Sequence, residues 1–454
     1  MSQRFTSGRV PASGIKELFA TEHRWAQWLR VEAALAQAQA EQGMIPAEAA
    51  DAITAACRPE ALDLEEVRRE RDRTSHPLMP LIVELSRVVG EPHGGWVHWG
   101  ATTQNITQTG DVLVLREAHH TILTQLARLL DALAALAEKG AEMVMAGRTH
   151  GQHAVPVTFG FKVAAWIDEL DRHVTRLRQL EPRLCQAIVG GAAGTFAALG
   201  DEPEKLQADI ARRLGLLPMA VPSRATADHF AEFVCALGLL AGTGGKIARE
   251  VYTLMKTEYQ EVEEPVPAGT IGSSTMPQKR NPQLCQDVLG LTAEIRSLVP
   301  LALEHLHNEH EADHAPSDLF AAQERACVLT GDALERLVVI LSGLRVAPER
   351  MRANLDLSGG MISAEAIMLR LGTRIGRQHA HDVVYEASQK AATGGGSFPG
   401  LLAADPRVTA HLSADDITTL LDPATHTGRS ASLARTGARR ARAAAADLRE
   451  RPAS

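Results

Sequence analysis

The sequence predicts an all-α protein built around a bundle of long helices. Ala and Leu dominate the 454-residue chain, and aromatic residues make up only 4% of it. A β-sandwich or barrel would need more Val, Thr, Tyr and Trp, whereas Ala and Leu favour helices. Apolar residues also recur every three or four positions over stretches longer than the usual helix of about a dozen residues. Both observations favour packed helices over a sheet-based fold.

Five long helices with a smaller domain on either side account for this pattern. An N-terminal helical domain, residues 1–105, begins with helical spacing of apolar residues from Ile15 to Gln42. A central domain, 106–350, is expected to hold the long helices, which follow Asp111 and cover Phe159–Leu180, Ala227–Thr257, Gln283–Leu298 and Ala321–Leu344. Residues 351–454 are expected to form a small third domain, because glycine and proline interrupt its shorter helices.

Charge and cysteine content exclude several kinds of partner. A formal net charge of −8 gives no general attraction to nucleic acid or to anionic lipid. The five cysteines are far apart and form no C-x-x-C pair, so neither a disulfide framework nor a structural zinc site is indicated. No window of about eighteen residues is free of charged and polar breaks, as a membrane span would be. We therefore expect a cytoplasmic protein with no nucleic-acid, membrane or metal partner.

Three polar, turn-prone segments between the helices combine groups that a hydrophobic core does not need. They are Gly100–Asn105 with Thr102 and Thr103, Gly147–His153 with Thr149, His150 and Gln152, and Gly272–Pro282. For the first segment taken alone, a helix cap is the better explanation, since Thr and Asn are common N-caps. A lone histidine is more often structural than catalytic, but the glycines on both sides of Arg148-Thr149-His150 in the second segment predict a tight loop that presents these side chains. The first two segments therefore need support from elsewhere in the chain.

The third segment, Gly272–Pro282, carries the strongest signal. It joins the Ser273–Ser274 pair to Lys279, Arg280 and Asn281 in one short loop. Such a loop can hold a carboxylate and remove the proton beside it. A serine acts as a base only if its alkoxide is stabilised, so backbone N–H groups and the lysine must help. Asn281 is expected to be the N-cap of the next helix, with a proline at its first position.

Gly272–Pro282 resembles the G-S-S-x-M-P-x-K-x-N-P signature of the fumarase/aspartase superfamily. Gly147–Gly160 is similar to that family's G-R-T-H block, and His98–Thr103 to its first substrate-binding block, in the same order along the chain. The resemblance implies three domains and a homotetramer with a twenty-helix core, in which loops of three subunits meet at each active site. The implied reaction is reversible β-elimination from a substituted succinate, a small dicarboxylate, which releases fumarate without metal or organic cofactor.

The resemblance also implies a role for each residue of the three segments. Ser273 would be the base that removes the Cβ proton, and Ser274 would help to hold the aci-carboxylate intermediate. His150 would protonate or orient the leaving group. His76 lies in a block similar to the one that holds a second functional histidine in adenylosuccinate lyase, so it is the other candidate general acid. The substrate carboxylates would be bound by Thr102, Thr103, Thr149, Gln152, Lys279, Arg280 and Asn281.

Within the superfamily, the chain resembles both adenylosuccinate lyase and 3-carboxy-cis,cis-muconate lactonizing enzyme. Asn354–Glu365 is similar to the muconate enzyme, whereas Thr149 and His150 are closer to adenylosuccinate lyase. Arg224–Asp228 lacks the glutamine and paired arginines with which adenylosuccinate lyase grips its nucleotide. We therefore expect a lyase that cleaves a C–N or other C–heteroatom bond, with an undefined leaving group. The alternatives are the muconate cycloisomerase, adenylosuccinate lyase of purine synthesis and an inactive structural homologue.

One competing pattern, His310–His314, satisfies H-E-x-x-H, which on a helix can bind zinc. No third ligand is indicated. The stretch Glu309–Glu311 instead resembles the acidic-histidine segment that follows the signature helix in the superfamily. We therefore expect no metal here.

Overall fold

The computed structural model describes residues 4–267, 269–270, 272–311 and 318–450, without the side chains of Asp318 and Leu319. The described residues confirm an all-α fold class with three short two-stranded sheets. The α-helices are Ile15–Leu18 (α1), Thr21–Glu41 (α2), Ala47–Ala56 (α3), Leu64–Thr74 (α4), Met79–Val89 (α5), Thr103–Lys139 (α6), Phe159–Leu184 (α7), Pro203–Leu214 (α8), Asp228–Leu254 (α9), Gln283–Glu304 (α10), Asp318–Ser342 (α11), Pro348–Leu355 (α12), Ala364–Ile375 (α13), Arg377–Ala392 (α14), Phe398–Ala404 (α15), Pro406–Thr409 (α16), Ala414–Leu421 (α17) and Ser430–Glu450 (α18).

Short strands and 3₁₀ turns connect the helices. Val144–Thr149 (β1) pairs antiparallel with Gln152–Thr158 (β2), Gln186–Ala187 (β3) pairs parallel with Leu217–Pro218 (β4), and Val262–Glu263 (β5) pairs antiparallel with Arg345–Val346 (β6). The 3₁₀ turns are Ser7–Arg9, Pro59–Ala61, His93–Trp96, Asp356–Ser358, Met361–Ser363 and Pro423–His426.

The five predicted long helices are present as α6, α7, α9, α10 and α11, and they pack together as the central bundle. Helix α6 begins at Thr103, well before the predicted start after Asp111. Its first turns contain buried polar residues, and those residues hid the apolar periodicity. Thr109, for example, accepts a hydrogen bond from the backbone N–H of Ile188 (3.1 Å). Tertiary partners therefore extend this helix beyond its apolar pattern.

The N-terminal helices join the bundle where α2 crosses α6. The single helix expected from Ile15 to Gln42 is broken into α1 and α2. A Cβ on Gly110 would lie 2.4 Å from the ring of Trp28, so α2 can approach α6 this closely only at a glycine. Beside the crossing, Arg24 donates two hydrogen bonds to Asp111, at 3.0 and 2.9 Å.

The last part of the chain divides between two packing environments. Helices α13 to α17 enclose a separate apolar cluster that includes Ile367, Leu371 and Phe398. Helix α18 instead returns to the bundle and lies along α6 and α7, with Arg440 paired to Asp171 at 2.6 Å. The division into domains 1–105, 106–350 and 351–454 stays a prediction, and the last helix packs with the central one.

Helix α9 is long and apolar enough to cross a membrane by length and composition alone. Within the described residues, 72% of that apolar window is buried inside the protein. Such burial is typical of a core helix in a bundle.

Helix α10 connects the two ends of the bundle that concern the site. Its first residues follow the Gly272–Pro282 loop, and we call this the loop end. Just beyond its last turn, Asn308 Nδ2 donates to the carbonyl of Ala225 (3.2 Å), beside Arg224, and we call this the Arg224 end. The 22 residues of α10 separate these ends by about 33 Å at 1.5 Å per residue.

Candidate functional site

The serine proposed as the base lies in a turn that directs two backbone donors at its hydroxyl. Ser273 Oγ accepts hydrogen bonds from the N–H groups of Thr275 (3.3 Å) and Met276 (3.2 Å). Donors fixed in this way stabilise negative charge on oxygen without any rearrangement during a reaction. Ser274 and Lys279 lie in the same loop with exposed side chains. The loop thus provides the backbone donors that a serine base requires.

The two ends of this loop are tied together at its base. A Cβ on Gly272 would lie only 2.1 Å from the carbonyl oxygen of Lys279, so the close approach needs a glycine. Asn281 Nδ2 donates to the carbonyl of Gly272 at 2.6 Å. Asn281 therefore closes the loop, and its expected role as the N-cap of the next helix is wrong. The helix begins at Gln283 instead.

A distant carboxylate supplies the missing cap. Both carboxylate oxygens of the buried Glu264 accept backbone hydrogen bonds, from Leu284 (2.9 Å) and Cys285 (3.0 Å) at the start of α10. Negative charge is favourable at a helix N-terminus. Burial nevertheless raises the pKa of Glu264, although the two N–H donors act in the opposite direction.

Arg9, in the N-terminal segment, also contacts the base of the loop, and the sequence did not indicate this contact. Arg9 donates to the side chain of Gln283 (2.9 Å) and to the carbonyl of Pro265 (2.8 Å), so it bridges the two sides of the loop. Nothing in the local sequence around Arg9 points to this contact. Arg280, predicted to bind substrate, lies 3.2 Å from a carboxylate oxygen of Glu263.

The second segment forms the tip of a β-hairpin between β1 and β2. His150 and Gly151 occupy the two turn positions with φ of 51° and 77°, the left-handed pair required by a type I′ turn. The sequence predicts the tight loop but not its strands, because a glycine and a proline interrupt them. The side chains of Thr149, His150 and Gln152 are all exposed at this tip.

A buried ion pair anchors the hairpin to the loop end. Arg148 donates to both oxygens of Glu261, at 2.6 and 3.1 Å, and the glutamate side chain is fully buried. Asn354 donates to the same carboxylate at 2.8 Å, and the guanidinium lies 4.9 Å from the ring centre of Tyr259. The arginine of the G-R-T-H block thus holds the hairpin that carries Thr149 and His150.

Replacing Arg148 by alanine is expected to destabilise the protein by about 3 kcal/mol, because it leaves the carboxylate of Glu261 buried without its cation. Urea unfolding of the variant measures the loss. Arg345→Ala is the matched control, since Arg345 pairs with Glu263 through a side chain that is 69% exposed and should contribute under about 1 kcal/mol. Equal losses in the two variants would contradict the anchoring role of Arg148.

The first segment lies at the Arg224 end, where Thr102 and Thr103 are half-buried at the start of α6. The buried Asn105 accepts from the backbone N–H of Thr102 at 3.2 Å, which is one half of a capping box. The capping role considered for this segment is therefore real, and it fixes the positions of both threonines. His98 lies just before them, and its ring nitrogen is 2.6 Å from a carboxylate oxygen of the buried Glu32. Burial lowers the pKa of His98, but the hydrogen bond to Glu32 and the charge of Glu32 together raise it by more, so the pKa is raised overall.

His76 lies apart from these segments, between α4 and α5. Its Nδ1 accepts from the backbone N–H groups of Leu78 (3.2 Å) and Met79 (2.9 Å), at the start of α5. Nε2 is therefore the nitrogen left to carry a proton or to meet a ligand. No hydrogen bond within the described part of the chain joins His76 to the three segments.

The zinc pattern lies partly outside the described residues, which end at Glu311 and resume at Asp318. His310 and Glu311 lie in a turn beyond α10, and His314 is in the gap. Elsewhere in the described ranges, no group of three or more His, Cys, Asp or Glu side chains is placed to hold a metal ion. The expectation that the protein needs no metal or cofactor stays a prediction.

Comparisons with known proteins identify the family of the chain. A family model described as "Lyase" matches residues 8–296, and one described as "Adenylosuccinate lyase C-terminus" matches residues 360–436. The chain is 37% identical to N-acetyl-S-(2-succino)cysteine lyase of Dickeya dadantii over 91% of each chain. It is 39% identical to 3-carboxy-cis,cis-muconate cycloisomerase of Pseudomonas aeruginosa over 92% of each chain. A solved fumarate lyase from Mesorhizobium sp. BNC1 superposes with a TM-score of 0.88 at 34% identity, covering 96% of this chain and 99% of that one.

The chain belongs to the fumarase/aspartase superfamily. Its relatives are fumarate-forming lyases and cycloisomerases, and its sequence is similar to both kinds. The long-helix bundle of this superfamily member places the signature loop and the His150 hairpin at the loop end, while Thr102 and Thr103 lie at the opposite end. Within one chain the second and third segments thus lie toward the same end of the bundle, and the first segment lies toward the other end.

Proposed function

We propose that the protein is a lyase that eliminates a heteroatom leaving group from a 2-substituted succinate and releases fumarate. The observation that carries this proposal is the pair of backbone N–H groups directed at Ser273 Oγ. A proton beside a carboxylate is a very weak acid, so its removal needs a base that is itself stabilised in the charged form.

In the proposed reaction, the Ser273 alkoxide takes the Cβ proton, and the C–H electron pair moves into the adjacent carboxylate. The resulting aci-carboxylate carries a double negative charge, which Lys279, Ser274 and the loop backbone stabilise. Its electrons then return to form the Cα–Cβ double bond of fumarate, and the leaving group departs with the C–heteroatom pair. His150 protonates or orients that leaving group, and His76 is the alternative acid.

The positions of the segments support a site assembled from several chains. Thr102 and Thr103 lie about 33 Å from the signature loop, taking the length of α10 as the measure. A succinate spans only a few ångströms, so one molecule cannot touch both segments of the same chain. We therefore propose a homotetramer in which these segments come from different subunits. A cytoplasmic location stays a prediction.

The leaving group is the part of the substrate that the signature motifs do not define. Two relatives point to different chemistry, since one is named for a succinylated cysteine and the other for a muconate ring closure. A thiolate leaves with little help from an acid, because a free thiol has a pKa of about 8.5, and an amine leaves once His150 protonates it. We therefore propose C–S or C–N elimination first, and cycloisomerisation as the second candidate.

Ultraviolet absorbance at the wavelengths where fumarate absorbs tests the proposal directly. The panel contains the acidic thioether N-acetyl-S-(2-succino)cysteine, a second thioether in which hydrogen replaces the cysteine carboxylate so that the leaving group is neutral (the neutral thioether), an N-(1,2-dicarboxyethyl) amino acid, adenylosuccinate and 3-carboxy-cis,cis-muconate. Fumarate release from a thioether or from the N-(1,2-dicarboxyethyl) amino acid is the expected result. Turnover of the muconate alone would favour the cycloisomerase, and turnover of none would favour an inactive homologue.

A further inference from the structure

We propose that Arg224 binds a carboxylate of the leaving group, so that the preferred substrates carry a third acidic group beyond the two of the succinyl half. This inference rests on the proposed function and adds a specificity-determining residue to it. Arg224 lies next to the first segment, which holds Thr102 and Thr103, and neither family resemblance nor local pattern assigns it a role in this chain.

The guanidinium of Arg224 is fixed in place on one side only. Its Nε donates to the side chain of Gln104 at 2.8 Å, and its Nη1 donates to the carbonyl of Ala192 at 2.6 Å. An arginine side chain has five N–H donors. Within the described residues, both N–H groups of Nη2 and one of Nη1 make no hydrogen bond, and the side chain forms no ion pair. Nη2 belongs to both donor edges of the guanidinium, so its free N–H groups are available to a carboxylate, which arginine binds through parallel hydrogen bonds.

Three side-chain amides hold the backbone that carries this arginine. Gln104 Nε2 donates to the carbonyl of Arg224 (2.9 Å), Asn308 to that of Ala225 (3.2 Å) and Gln108 to that of Thr226 (3.4 Å). The donors come from α6 and from the segment after α10, so two separate parts of the chain fix one short stretch. Such fixing reduces the entropy lost when a ligand binds, as a preorganised binding group requires.

Charge balance assigns Arg224 to the leaving group rather than to the succinyl half. The two succinyl carboxylates already have two proposed cations, Lys279 and Arg280, since Glu263 beside Arg280 also pairs with Arg345. The hydroxyls of Thr102, Thr103 and Thr149 are further donors. A further guanidinium that has no counter-ion among the described residues exceeds what a dianion needs. A third carboxylate on the departing thiol or amine would give this positive charge its partner.

The acidic and neutral thioethers of the panel test the inference, because they differ in one carboxylate. In Arg224→Gln, kcat/KM for the acidic thioether is expected to fall about 50-fold, the loss typical of one charge-assisted hydrogen-bonded pair. For the neutral thioether it should change less than about threefold, and the wild-type preference for the acidic compound should disappear. Arg212→Gln is the control, since it removes an exposed arginine that pairs with Asp209 on α8 and should alter neither value.

A structural role would give a different result. If Arg224 only tied Ala192 to α6, or bound the succinyl half, Arg224→Gln would slow both thioethers equally, and the inference would be overturned. Calorimetric binding of N-acetylcysteine and of N-acetylcysteamine in the presence of succinate, which has no double bond for a thiol to add to, keeps the test independent of turnover. Wild-type protein should bind the acidic thiol more tightly and Arg224→Gln should not, even if no panel compound released fumarate. Equal binding of the two thiols by wild-type protein would also overturn the inference.

Discussion

Replacing Ser273 by alanine is expected to lower kcat for every accepted substrate by about 10³-fold or more, with little change in stability. The hydroxyl is the proton acceptor in the proposed reaction, and the N–H groups of Thr275 and Met276 donate to no other oxygen among the described residues. The loop around Ser273 is largely exposed, so loss of the hydroxyl removes little buried contact. Initial rates of fumarate release and a thermal melt measure both quantities.

Ser297→Ala provides the matched control for this variant. Ser297 lies on α10, where its hydroxyl donates to the carbonyl of Glu294 at 2.7 Å, and the residue is exposed. This change should leave kcat within about twofold of wild type. Wild-type turnover by Ser273→Ala would show that another group removes the proton, and the assignment of the base would be wrong.

Mixing two inactive variants is expected to restore activity, because the two halves of a site lie at opposite ends of each chain. Ser273→Ala damages the loop end, and a Thr102→Val/Thr103→Val double variant damages the Arg224 end. In a mixed tetramer, some sites combine an intact loop from one subunit with intact threonines from another. Random mixing of equal amounts should return about a quarter of wild-type activity, since each half is intact with a probability of one half.

Co-expression of the two variants with different affinity tags, followed by purification through both tags, gives the mixed oligomers for this measurement. Each variant purified alone is the control and should stay near background. Lack of recovery in verified mixed oligomers would show that both segments act within one chain, which the length of α10 argues against. Recovery would support the multi-subunit site independently of any particular substrate.

Most of the fold and the centre of the chemistry could be predicted from the sequence, because both are encoded locally. Apolar spacing indicated all five long helices, and errors occurred mainly at their ends. The start of α6 was missed because its first turns are stabilised by tertiary partners such as Ile188 and Arg24 rather than by an apolar stripe. The hairpin strands were missed for a related reason, since their pairing depends on contact between two segments.

The sequence by itself determined the superfamily, the helical bundle and the three polar segments, since each depends on residues close together in the chain. Only the tertiary structure decided how those segments are held and separated. Glu264 caps α10, Arg148 pairs with Glu261, and Arg224 donates a hydrogen bond to Gln104. A local sequence pattern does not indicate which residues pair when more than a hundred residues separate them. The contacts of Arg148 with Glu261 and of Arg224 with Gln104 are therefore seen only in the folded protein. Packing also places Ser273 and Thr103 at opposite ends of the bundle, a separation that no motif contains.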